Sequence, residues 1–152
     1  MNKRFQHLQL HQTDAMLTSW RDAHLSARPQ GGWVRAIREA LGMTATALAR
    51  RLGMSHAGIR KLEINEAEEV ITLASLRKLA NALDCELQYA LVPRTSLEQM
   101  LKNRAHQIAR ERLRPVSHSM SLEDQSVEGA SSEVQLELLT KEILDGSRRE
   151  LW

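Results

Sequence analysis

His56, Ala57, Arg60 and Lys61 fall on one side of a helical turn and a half, and their side chains suit the edges of base pairs. Arg60 or Lys61 can address guanine O6 and N7, Ala57 can pack on a thymine methyl, and His56 can donate or accept. The alternative is that the same two cations touch only phosphates, contacts that position a protein without reading sequence. Thr44, Thr46 and Ser55 place hydroxyls at expected helix starts, where phosphates bind readily. Arg50 and Arg51 can clamp the same backbone, although a solvated face explains them almost as well.

Catalytic chemistry is not legible. The chain has no glycine loop to cradle a phosphate, no triad-like set and no metal cluster, so an enzyme is not expected and no cofactor is required. His7 and His11 lie four apart and share a helical face, but no third ligand stands nearby. Cys85, the only cysteine, reads as a small core residue and suits a reducing cytoplasm. Met1-Asn2-Lys3-Arg4-Phe5 leads into polar sequence, as expected of a cytoplasmic chain, and no apolar run has the length of a membrane span.

What must hold the base-reading face outward is the run TATALARRLGMSHAGIRKLE, residues 44–63. Two helices that cross closely need a small side chain at the crossing, and Ala49 supplies it. The turn between them needs a left-handed residue, and Gly53 adopts that conformation at little cost. Leu48, Leu52, Ile59 and Leu62 point inward and set the angle. The outer side of the second helix is then free to enter a major groove.

This pattern resembles the Cro/phage-repressor (Xre-type) helix-turn-helix family over about residues 33–83. Ala49, Gly53, Ile59 and Leu62 match the family spacing without gaps. Arg38 and Glu63 sit where the family often places a partly buried ion pair. A closer likeness, carried by GWVRAIREALGMT and ITLASLRKLANALDCELQYALVPR, is to the group called mobile mystery protein A. That resemblance implies a small regulator encoded beside a Fic-domain protein, in a toxin–antitoxin-like operon. Two positions depart from the family. Ala45 stands where a phosphate-binding glutamine is common. Gly58 lies inside the recognition helix at a cost of about 1 kcal/mol relative to alanine.

The remaining elements frame this unit. Aromatic residues make up 3% of the chain, and its Leu- and Ala-rich composition favours helix over strand. Residues 1–30 are expected to form an amphipathic helix broken by Pro29-Gln30-Gly31-Gly32. Residues 31–93 are expected to hold the helix-turn-helix domain, with helix caps at Thr44, Ser55 and Thr72 and stops at Gly42 and Gly53. Residues 85–92 alternate well enough to suggest a strand. A lone strand needs a partner, and the same strand of a second copy would supply one. Residues 94–114 read as a long basic helix ended by Pro115, and residues 115–152 as an acidic, partly flexible tail. Up to residue 114 the chain holds 18 Lys/Arg against 11 Asp/Glu, a net +7, whereas the rest holds 3 against 8, a net −5. The basic portion suits a phosphate backbone and the acidic tail does not. Within the tail, Ser119/Glu123 and Glu128-Gly129 come near the glutamate motif that silences Fic proteins, yet both fail it.

The expected fold is therefore mainly α: a lambda-repressor-like helix-turn-helix bundle with one short strand on its C-terminal side and flanking helices. The expected partners are an inverted-repeat operator in double-stranded DNA and a second copy, paired through strand 85–92 and helix 97–113. The resemblance adds a Fic-domain protein. The resulting expectation is a sequence-specific repressor, or alternatively an antitoxin that acts mainly by neutralising the Fic protein.

Overall fold

A computed structural model describes residues 2–123 and 129–152, with side chains for 2–114 and 131–152. Seven helices form among these residues: α1 (Lys3–Asp22), α2 (Trp33–Ala40), α3 (Ala45–Leu52), α4 (His56–Ala67), α5 (Leu73–Ala82), α6 (Leu97–Glu123) and α7 (Gly129–Asp145), followed by a 3₁₀ turn at Arg148–Leu151. They divide into two compact units. One is His24–Ala90; the other combines the chain up to Ala23 with the chain from Leu91 onward. Among the described residues no helix is long and apolar enough to cross a membrane.

The His24–Ala90 unit is a four-helix bundle whose ends are set by local chemistry. The hydroxyl oxygens of Thr44, Ser55 and Thr72 accept from the N–H groups of Ala47 (3.1 Å), Gly58 (3.0 Å) and Ser75 (3.1 Å), starting α3, α4 and α5. Each cap contributes about 1 kcal/mol. Gly53 ends α3 in the left-handed conformation at φ 63°. The core between the helices comprises Val34, Ala45, Leu48, Ala49, Ile59, Leu79 and Leu83, with Ile37, Leu52, Leu62 and Leu76 packed against it. Burying each of its valine, leucine and isoleucine side chains contributes about 1.5–3 kcal/mol.

In the second unit α6 packs against α1, α7 and the 3₁₀ turn. Ala105 and Ala109 of α6 are fully buried, as is Leu151, and the two alanines permit a close approach. Asp14 of α1 caps α6 by accepting from the N–H groups of Leu97 (2.6 Å) and Glu98 (3.1 Å). Ser96 adds a local cap by accepting from Gln99 N–H at 3.0 Å. Two turns further along α6, Arg104 donates to the carbonyl of Leu151.

Two expectations are corrected here. Residues 85–92 form no strand, and no strand forms anywhere among the described residues. A strand requires a neighbour to take up its backbone groups, and the bundle offers none within one chain. Pro115 does not end α6, which continues to Glu123. Proline removes one helical hydrogen bond at a cost of about 3 kcal/mol, and a helix held by packing against α7 tolerates that loss. The Ser119 and Glu123 side chains, and all of Glu128, lie outside the described residues.

Candidate nucleic-acid interface

α4 has a pinned side and a free side. Ile59, Glu63 and Glu66 are buried, whereas His56, Ala57, Arg60 and Lys61 are all exposed on the opposite side. The alternation follows from helical periodicity, which puts residues 59, 63 and 66 on one stripe.

Two carboxylates pin the buried stripe to α2. Glu63 takes a two-pronged ion pair from Arg38, with Nε to Oε1 at 2.6 Å and Nη2 to Oε2 at 3.2 Å. Arg38 Nη1 also donates to the carbonyl of Met43 at 2.9 Å, so the guanidinium braces the turn that leads into α3. One turn further along, Glu66 accepts from the N–H groups of Trp33 (2.7 Å) and Val34 (3.0 Å). These are donors that a helix start leaves without intrahelical partners. Gly32 makes the second contact possible: it sits at φ 89°, and a β-carbon there would lie 2.8 Å from the Glu66 carboxyl. The Glu66 lock was not foreseen from the sequence. Gly32 directly before the start of α2 is a faint signal, and the partner glutamate is more than thirty residues away.

Arg60 stands at the edge of this network. Its Nη1 lies 3.7 Å from Glu63 Oε2, and its side chain is 46% exposed. A screened contact of this length orients the guanidinium without occupying its hydrogen-bonding edge. On α2, Arg35 and Glu39 pair at 2.8 Å, and the hydrogen bond from Arg35 holds the Glu39 carboxyl below the usual carboxylate range.

The backbone-contact candidates differ from one another. Thr44 and Ser55 use their oxygens as caps, which leaves each hydroxyl proton free to donate to a phosphate. Thr46 and Arg50 are exposed. Arg51 instead donates from Nη1 to the carbonyl of Ala82 at 2.9 Å, closing the end of α5. Ala45 is buried at the start of α3, so that position contributes to packing and not to a phosphate contact. At Gly58 a β-carbon would sit 3.2 Å from both Met54 Cε and Ser55 Oγ. Glycine there leaves room for the Ser55 cap.

Ala49 is buried at the crossing of α3 and α4, Gly53 is left-handed between them, and Ile59 and Leu62 face inward. Residues 34–89 match the family model described as helix-turn-helix. This segment is a helix-turn-helix domain. It is of Cro/C1 type, a DNA-binding module of transcription regulators, with α3 as its first helix and α4 as its recognition helix. No curated protein and no solved structure matches the chain. Outside the helix-turn-helix domain, His7 and His11 lie edge to face with ring centroids 4.8 Å apart.

Proposed function

We propose that this chain is a sequence-specific repressor that binds an inverted-repeat operator as a symmetric pair and represses the operon that encodes it. One observation carries the reading. The recognition helix exposes His56, Ala57, Arg60 and Lys61 together while Glu63 and Glu66 hold its other side to α2. A groove-reading helix needs that combination of rigid backing and uncommitted polar groups. On this reading Arg60 or Lys61 addresses guanine and Ala57 a thymine methyl. Thr44, Thr46, Ser55 and Arg50 meet phosphates. Two such helices about 34 Å apart would read successive major grooves. The chain binds and does not catalyse, and it works in the cytoplasm.

Footprinting on the DNA upstream of its own gene tests this. A protected palindrome, with affinity falling steeply as salt rises, is expected. Binding no tighter to that DNA than to a random duplex would sink the reading.

The likeness to mobile mystery protein A adds a Fic-domain partner and a toxin–antitoxin setting. Co-expression with the neighbouring gene product tests that part by itself. A chain that footprints normally yet captures no Fic protein is a regulator only.

A further inference from the structure

We propose that the outer face of α1 is the docking surface for a second copy of this chain, with the two α1 helices antiparallel across a two-fold axis at Gln12. The inference rests on the dimeric reading above and gives it a surface.

None of the 20 residues of α1 is buried, although the helix carries two apolar stripes. Leu10, Leu17 and Trp20 are half-buried on the side that packs toward α6. On the other side Phe5 is 56%, Leu8 54% and Met16 73% exposed. Phe5, Leu8, Gln12, Ala15 and Ser19 recur at alternating three- and four-residue steps, the spacing of a helix–helix seam, with Met16 beside it. All are exposed.

The pattern fits itself. In a two-fold interface each residue meets its symmetry counterpart's neighbours, and a residue on the axis meets its own copy. An antiparallel pair centred on Gln12 sets bulky Phe5 against small Ser19 and Leu8 against Ala15 and Met16, each twice. It sets Gln12 against itself, and a primary amide both donates and accepts. Exposed Arg4 then faces exposed Asp22. A parallel pair would stack Lys3 and Arg4 on their own copies, which like charges oppose.

The surfaces expected from the sequence fit less well. The apolar stripe of helix 97–113 is largely consumed within its own chain, where Ala105 and Ala109 are fully buried and Leu101, Ile108 and Leu113 half-buried. Residues 85–92 are not a strand.

Sedimentation equilibrium of the full chain tests the proposal. The wild type should be a dimer at low micromolar concentration. Leu8→Glu/Met16→Glu should raise its dissociation constant on the order of a hundred-fold or more. Leu91→Glu should leave it unchanged. A wild-type monomer at tens of micromolar overturns the proposal, as does a double variant that stays dimeric or a Leu91→Glu variant that dissociates.

Should the double variant lose helix content, cysteine cross-linking in a Cys85→Ala background decides instead. Gln12→Cys should cross-link. Leu8→Cys should not, because the antiparallel pair separates its two copies by about 12 Å along the helices. The reverse result overturns the antiparallel pair. A dimer that ignores the operator sinks the repressor reading and leaves this surface standing.

Discussion

The carboxylate of Glu66, near the end of α4, accepts from the first two N–H groups of α2, those of Trp33 at 2.7 Å and Val34 at 3.0 Å. Glu66 is 3% exposed, so a helix end that water would otherwise satisfy is instead closed by the recognition helix. Glu66→Ala should therefore cost about 1–3 kcal/mol, since it removes the acceptor of both N–H groups and that of Val34 is buried. Gly32→Ala should also destabilise, through its left-handed backbone and its clash with the same carboxyl. Urea unfolding of both variants checks this, and a change under 0.5 kcal/mol for Glu66→Ala would remove the lock from the account.

The Arg38–Glu63 pair should behave as a buried pair does. Glu63→Ala alone should cost about 3 kcal/mol by leaving the buried Arg38 without its close carboxylate, whereas Arg38→Met/Glu63→Leu should recover most of that loss. A double-mutant cycle measures the coupling. Additive losses would show that the two residues act independently.

Arg60→Ala should weaken operator binding by about 1–3 kcal/mol and relax the preference at one base pair. Gel shifts on single-base operator variants read both effects. Equal losses on operator and random DNA would make Arg60 a phosphate contact.

Gly58→Ala is expected to leave both folding stability and operator affinity nearly unchanged. The gain in helix propensity, about 1 kcal/mol, offsets crowding that the flexible Met54 methyl relieves more easily than the Ser55 hydroxyl does. A drop in affinity at an unchanged melting temperature would mean that the backbone at Gly58 approaches DNA.

Glu39 sets a pH dependence of known sign. Its carboxyl is held below its ordinary 4.5 by the hydrogen bond from Arg35 and by the nearby guanidinium charges. The stability this adds is present above 4.5 and disappears as pH falls through the depressed value. Because the pair is exposed, the effect should be small and salt-sensitive. Melting curves of wild type and Glu39→Gln should differ slightly near neutrality and converge in acid. A gap that widens toward low pH would contradict the assignment.

Much of the helix-turn-helix domain was determined by local sequence. Caps at Thr44, Ser55 and Thr72, the glycine stop at Gly53 and the apolar period through Leu48, Ile59 and Leu62 act within a few residues of one another, so the chain displays them in order. The outward set His56, Ala57, Arg60 and Lys61 follows from the same period. Only the tertiary structure decided what depends on distant partners. It joins Glu66 to Trp33 and Val34, turns Arg51 toward Ala82, leaves residues 85–92 without a strand and carries α6 past Pro115. A cap or a period is a property of consecutive residues, whereas a lock, a ladder or a tolerated proline depends on what another part of the chain brings within hydrogen-bonding or packing distance.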